Sequence, residues 1–278
     1  MTRREWLALA AAFAARGVVA PAARAAAAER RALIAAHRGG AALWPENSLT
    51  AFRNALALGV DFIEFDLHQT ADGQIVVLHD AVLDRTTTGQ GPVGALKLAD
   101  LAPFRLRARD GTPTDDAIPT LAQVLDAAAP TKVQLMPEIK VAGGRRYDGI
   151  EPRVIDLLRA RGLLERATVQ SFDWPTLRRL RELAPMLRTL LLISQAFVDR
   201  RRVPAVEAVG WAKDVDATDL GIDHRLLSHD VALAARRANV RLVVWTVNEE
   251  ADVRRALDLG ADVVISDRPD LALGLATR

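Results

Sequence analysis

Residues 61–80 read DFIEFDLHQTADGQIVVLHD, and this stretch decides how the chain is to be understood. Its first half alternates. Phe62, Glu64, Asp66 and His68 point to one side and Ile63, Phe65 and Leu67 to the other, because a strand repeats every two residues. Only a few residues around Asp72-Gly73 separate it from a second β-rich run, Ile75 to Leu78. A parallel pair needs a crossover of a dozen or more residues, so these two strands are antiparallel and close through an Asp-Gly turn. Folding the hairpin there returns His79 roughly opposite Asp66. Two carboxylates on an otherwise apolar strand repel each other and resist burial unless a cation lies between them. The alternative is an exposed strand face with ordinary solvated charges.

Working outward, the remaining chain repeats strand, loop and helix. Strands are expected to begin near residues 33, 62, 132, 168, 189, 217, 241 and 262, with helices between them. The helix after Pro119-Thr120, one from Pro152 to Arg161, and one from Ser228 to Ala238 carry start or stop signals, and Asn248 is expected to cap another that Gly260 ends. Eight strands alternating with helices make an α/β chain, a (β/α)8 TIM barrel. Residues 81–118, rich in Thr, Gly and Pro, read as a small insertion after the second-strand hairpin. An open doubly wound sheet is disfavoured, since no Gly-rich phosphate fingerprint follows the first strand.

Composition narrows the function. The 278 residues are 50% hydrophobic and carry a formal net charge of +2, with arginine scattered rather than striped, so no nucleic-acid partner is indicated. Cysteine is absent, which excludes disulfides, thiolate metal sites and a cysteine nucleophile. The first 29 residues stand apart. Arg3-Arg4, then Trp6-Leu7, an Ala-rich run and Ala23-Arg24-Ala25 have the order of a twin-arginine export signal, which implies a periplasmic or extracellular protein. The apolar run is too short to span a bilayer.

Active sites of such barrels lie at the carboxyl ends of the strands. Those ends carry His37-Arg38, Glu64 with Asp66, Glu138 with Lys140, Gln170-Ser171 and Trp245 with Asn248, and the hairpin adds His79. Three carboxylates without cysteine or closely spaced histidines suit a hard cation, Mg2+ or Ca2+, better than zinc. A hard cation, Arg38, Lys140 and two histidines describe cleavage of a phosphate diester: cations offset phosphoryl charge, one imidazole takes a proton and the other gives one. His68 shares a face with Asp66 and is the reserve; His224 and His229 lack such a setting.

Taken together, His37-Arg38-Gly39, Pro45-Glu46-Asn47-Ser48, Glu64-x-Asp66, His79-Asp80, Leu83-Asp84-Arg85-Thr86-Thr87, Ile118-Pro119-Thr120-Leu121, Glu138-Ile139-Lys140, Ser171-Phe172, Trp245-Thr246-Val247-Asn248 and Ser266-Asp267-Arg268-Pro269 resemble the glycerophosphodiester phosphodiesterases, in order from about Leu33 to the C-terminus. The resemblance implies hydrolysis of glycerophosphodiesters to glycerol 3-phosphate and an alcohol. It implies a divalent cation on Glu64, Asp66 and Glu138, with His37 and His79 as the acid–base pair and Arg38, Lys140 and Trp245 toward the substrate. Ser48 replaces the commoner Thr, and Pro137 stands where a branched apolar residue is usual. Pro137 is expected to cost that strand one ladder bond. Rival readings are a related barrel acting on lysophospholipids or phosphatidylinositol, and a non-catalytic binding protein on the same barrel; the second predicts loss of a matched polar residue, and none is lost.

Overall fold

The computed structural model describes residues 31–276, so the export signal expected over residues 1–29 lies outside the described residues. Eight parallel strands close on themselves: β1 (Leu33–Ala36), β2 (Phe62–Gln69), β6 (Gln134–Ile139), β7 (Thr168–Ser171), β8 (Arg188–Ile193), β9 (Asp219–Asp223), β10 (Arg241–Trp245) and β11 (Val263–Ser266). Pairing of β1 with both β11 and β2 completes the ring. This is the (β/α)8 barrel.

The strand β3 (Ile75–Val77) runs antiparallel to β2, with Leu67 opposite Val77 and Gln69 opposite Ile75. Leu78 then donates its N–H to the Asp66 carbonyl at 3.0 Å, and His79 follows at the barrel rim. The turn forms as expected, Gly73 taking φ +78°, a conformation that costs a glycine little.

Alternation along β2 sorts the core. Ile63, Phe65 and Leu67 join the large layer between strands and helices, while Phe62 packs inside the barrel with Ala35, Met136, Leu190, Leu192, Val243, Val263 and Ile265. Glu64 and Asp66 follow Phe62 inward, toward the upper mouth. Space inside is tight at Gly221, where a Cβ would stand 2.6 Å from Leu190 Cδ2 and 2.8 Å from Leu192 Cδ2. Larger residues there would force the wall apart.

Between β3 and the helix α3 (Leu121–Ala128) the chain forms α2 (Leu98–Leu101) and a hairpin of β4 (Arg105–Arg107) with β5 (Pro113–Ala117). Leu83, Val93, Leu101, Leu106 and Ile118 make a separate small core there over Val76 and Leu78. Helix ends behave as their sequences dictate in most places. Thr120 caps α3 in a reciprocal box with Gln123, and Ser48 caps α1 (Leu49–Leu58) by accepting from the Ala51 N–H. The expected helix 152–161 occupies Ile150–Ala160, α4, since Gly149 rather than Pro152 precedes it. Two helices over Gln195–Arg201 and Glu207–Asp214 were not anticipated; the polar, arginine-rich segment between the strands obscures their periodicity.

One expectation fails. Asn248 does not cap the helix Glu250–Asp258; Glu249 occupies that position without a side-chain bond. The Asn248 amide is drawn away to Asp267 and Ser266. The ladder at Pro137 is thin as expected. β6 pairs with β2 over six positions, but with β7 only at Glu138–Gln170, consistent with a residue that has no N–H to give.

Candidate active site

The upper mouth of the barrel holds a cleft of about 140 Å3 lined by His37, His79, Glu64, Glu138, Lys140 and Trp245 among others. Glu64, Asp66 and Glu138 each present a carboxylate oxygen within 4.8 Å of the others, and all three are buried. Burial first, then the charges of Asp66 and Glu138, hold the Glu64 carboxyl well above its ordinary range. Burial pushes Glu138 up to about 7, with Asp66 adding to the rise and Lys140 opposing it. Asp66 goes the other way. Burial alone would raise it, yet Lys140 and Arg38 beside it hold it far down. Two buried carboxyls that resist ionisation around a third that is ionised want another positive charge, and a divalent cation supplies it. The residues therefore fit a hard cation on donor chemistry alone.

Neighbouring groups aim these carboxylates. The Gln170 amide donates to Glu64 Oε1 at 2.8 Å, and the Arg38 backbone N–H to Glu64 Oε2 at 2.8 Å. That second bond requires Arg38 in the left-handed region, φ 51°. Gly39 beside it is packed so closely that a Cβ would lie 2.8 Å from Ala51 Cβ. Asn47 donates its side-chain amide to Asp66 Oδ2 at 2.8 Å. Lys140 Nζ sits 2.9 Å from Asp66 Oδ1 and 2.8 Å from Glu138 Oε1. The Arg38 guanidinium lies 3.3 Å from Asp66 and 3.1 Å from Glu46. Both cations expected to face phosphate thus stand at the carboxylate cluster, on the wall of the cleft.

The two rim histidines are built alike from different elements. His37 Nδ1 is 2.6 Å from Asp267 Oδ1, at the ends of β1 and β11; Asn248 donates to Asp267 Oδ2 at 2.7 Å and accepts the Asp267 N–H at 2.8 Å. His79 Nδ1 is 2.6 Å from Asp80 Oδ1. Arg85 clamps Asp80 from one side and Glu46 from the other, with contacts of 2.6 to 3.1 Å. A carboxylate at Nδ1 fixes that nitrogen as the donor, so in the neutral ring Nε2 is an acceptor. His37 Nε2 lies 4.0 Å from Glu64 Oε2, at the edge of the cluster. Burial holds the pKa of His79 below that of a free imidazole, with Lys140 and Arg38 adding to the effect and Asp66 opposing it.

Trp245 lines the apolar side of the cleft, edge-on to Phe172 with ring centroids 5.5 Å apart. Its indole N–H is buried without a partner among the described residues. His68 is drawn elsewhere, to the Tyr147 hydroxyl at 2.8 Å and the His79 carbonyl at 3.0 Å, where it supports the hairpin. His224 is drawn to Asp252 and does not line the cleft, and His229 opens a helix.

Sequence reasoning brought together His37, Arg38, Glu64, Asp66, His79, Glu138, Lys140 and Trp245, and all but Asp66 line this one cleft, with Asp66 in the carboxylate cluster beneath. It named Asn248 only as a strand-end residue and helix cap, and gave no role to Asp267, Asp80, Arg85 or Glu46. Asp267 follows β11 directly, so the strand-end rule applied to the eighth strand finds it. Glu46 and Arg85 stand in motifs of the family resemblance, but no strand end or period marks their pairing, which only the fold brings about.

Comparison with known proteins agrees with this geometry. Residues 37–271 match the model of the glycerophosphoryl diester phosphodiesterase family. A glycerophosphodiester phosphodiesterase of Caldanaerobacter subterraneus is 30% identical over 249 residues, 89% of this chain and 99% of the relative. One of Bacillus subtilis is 31% identical over 87% of this chain and 85% of its own length. Among solved structures, a glycerophosphodiester phosphodiesterase from Agrobacterium tumefaciens superposes with a TM-score of 0.71 at 26% identity, over 87% of this chain and 99% of its own. An Oleispira antarctica phosphodiesterase, solved with its product sn-glycerol 3-phosphate, shares the fold at 23% identity and a TM-score of 0.73. With the family matched over residues 37–271 and both histidines, Glu64, Glu138 and Lys140 gathered in one cleft, the chain belongs to the glycerophosphoryl diester phosphodiesterases and is a phosphodiesterase acting on glycerophosphodiesters.

Proposed function

We propose that the chain hydrolyses glycerophosphodiesters to sn-glycerol 3-phosphate and an alcohol, with His37 and His79 as the acid–base pair and one divalent cation, Mg2+ or Ca2+, on Glu64, Asp66 and Glu138. One observation carries this reading: two imidazoles, each locked through Nδ1 by a carboxylate, line the same small cleft as three buried carboxylates. The bound cation would supply Lewis-acid stabilisation of charge on the phosphoryl oxygens. The protein's own groups do the remainder. One neutral Nε2 accepts the proton of the attacking oxygen, while the other ring, charged, gives its proton to the departing alkoxide. Asp267 and Asp80 hold the rings in position and stabilise whichever becomes the imidazolium. Arg38 and Lys140, fixed beside the carboxylates, add positive potential at the phosphate.

Turnover on a panel of glycerophosphodiesters after chelation, with each cation restored, tests the proposal. Release of glycerol 3-phosphate that depends on the cation supports it; hydrolysis on the other side of the phosphate, or full activity in chelator, contradicts it. Phe172, 43% exposed at the mouth beside Trp245, favours a second reading in which a lysophospholipid's apolar chain lies along that edge. Pairing glycerophosphocholine with lysophosphatidylcholine in one assay separates the two. No helix among the described residues is long and apolar enough to cross a membrane. We also propose export through the paired Arg3 and Arg4: changing both to Lys should leave full-length precursor inside the cell, and normal export would point to another route.

A further inference from the structure

Beyond the Arg38–Glu46–Arg85–Asp80 chain of ion pairs lies a second cavity, of about 250 Å3, between the loop after β1 and the β4–β5 hairpin. Trp44, Glu46, Arg85, Thr86, Arg107 and Arg109 are among its walls. Its wall residue Glu46 is ion-paired with Arg38, which lines the catalytic cleft.

The charges in this cavity do not balance. Glu46 is spent on Arg38 and Arg85, and Arg85 on Glu46 and Asp80. Arg107 has no carboxylate partner among the described residues. Its Nε donates to the Thr87 carbonyl and its Nη1 to the Gly111 carbonyl, each at 2.8 Å, while its backbone N–H is held by Thr86 O. The guanidinium is thereby immobilised with its full charge uncompensated. Arg109, exposed on the same wall, has no ion-pair partner among the described residues, and the neighbouring Asp110 accepts from the Thr112 N–H. The Thr86 hydroxyl is buried in this wall without a hydrogen-bond partner among the described residues. A pinned, unpaired arginine beside a second one is pre-organised for a bidentate anion such as phosphate. A quaternary ammonium group would instead meet two like charges, with only the Trp44 ring in its favour.

We propose that this cavity receives the alcohol side of the substrate, and that it selects glycerophosphodiesters whose alcohol carries a second phosphate over those with a cationic head. The proposal rests on the phosphodiesterase reading above and names the substrate class of that site. Arg107 and Arg109 are specificity-determining residues on this view. They touch neither the scissile phosphate nor the histidines.

The test compares kcat/KM for glycerophosphoinositol 4-phosphate with that for glycerophosphocholine, in the wild type and in the Arg107→Ala/Arg109→Ala variant. The wild type should prefer the phosphorylated substrate. The variant should lose about 10–30-fold on it, mainly through KM, as expected for lost hydrogen bonds to a charged group at a partly exposed site. Glycerophosphocholine turnover should change by no more than about threefold, since rim charges away from the chemistry matter little to it. Arg107→Lys/Arg109→Lys should restore part of the preference. Rising salt should erode the wild-type preference in the same direction, which keeps the test open should the Ala variant fail to fold. A wild type that prefers glycerophosphocholine, an equal loss on both substrates, or a salt-independent ratio overturns the proposal. Inactivity of the wild type on every diester, with cation present, overturns the catalytic reading beneath it.

Discussion

The two mouths of the barrel are ringed by charges from different strands: β8, β9 and β10 supply the lower one, and β2 and β6 with the end of β1 the upper. At the lower mouth Asp219, fully buried at the start of β9, is clasped by Arg188 from β8 and by Arg241 from β10, the latter at 2.7 Å. Arg241 also donates to the Thr168 hydroxyl at 3.1 Å and lies over the Phe62 ring. One buried carboxylate there meets two guanidiniums, so its negative charge is fully answered by cations. At the upper mouth three carboxylates share Lys140 and Arg38, and two of them are held back from ionising. A buried carboxylate met by enough cations supports a fold; carboxylates that outnumber their cations invite another one.

Substitutions at the two mouths should therefore fail in different ways. The largest effects belong to the upper one. His37→Ala or His79→Ala should lower turnover about 10²–10⁴-fold with folding and cation binding kept. A substrate with a nitrophenolate leaving group needs little help from an acid, so it should rescue the variant lacking the acid and not the other. Equal impairment of both variants on natural and activated substrates would sink the acid–base division.

Next in size is the lower mouth. Asp219→Asn should cost about 2 kcal/mol, because hydrogen bonds to charged groups contribute roughly 1.5–3 kcal/mol and the arginines can turn to water. That corresponds to a fall of about 4–8 °C in Tm, with kcat/KM at 25 °C unchanged. An active-site phenotype in this variant would dissolve the contrast. The smallest expected effect lies at the rim. Arg85 first, then the His79 contact, holds Asp80 at about 2, against an ordinary value near 3.9. A depressed carboxyl stabilises the fold fully above the ordinary value and loses that contribution as pH falls toward 2. Arg85→Ala should thus flatten the acid limb of the stability curve between about pH 4 and 2. Calorimetry across that window checks it.

The contrast between mouths was half legible in the sequence. Strict alternation of Phe62, Glu64 and Asp66 on an apolar strand announced inward charges, since only a period of two delivers every second residue to one side. Glu138-x-Lys140 repeated the pattern one strand along. Nothing comparable revealed Asp219, whose partners Arg188 and Arg241 come from neighbouring strands at positions set by barrel stagger. The props of the histidines divide the same way. Asp267 and Asp80 adjoin strand or hairpin ends and are readable. Glu46 and Arg85 lie 39 residues apart and meet in space through loops that carry no period. Asn248 misled because Asn before a helix is an ordinary cap; here Asp267 competes for its amide and wins.

The most direct test of the central claim, that the upper mouth is short of a positive charge which a divalent cation supplies, is the stability of chelated protein as a function of pH with and without cation. Glu64 and Glu138 are raised in the cation-free protein, Glu138 to about 7. Raised carboxyls contribute stability that is complete below the ordinary value near 4.3 and lost as pH rises through the folded value. Chelated protein should therefore melt higher at pH 5 than at pH 8. Mg2+ or Ca2+ should restore the loss at pH 8 together with activity, and Glu64→Gln should abolish both responses while raising the cation-free Tm at pH 8. A melting temperature indifferent to cation and pH, or a Glu64→Gln variant that still answers to cation with full activity, would contradict the account.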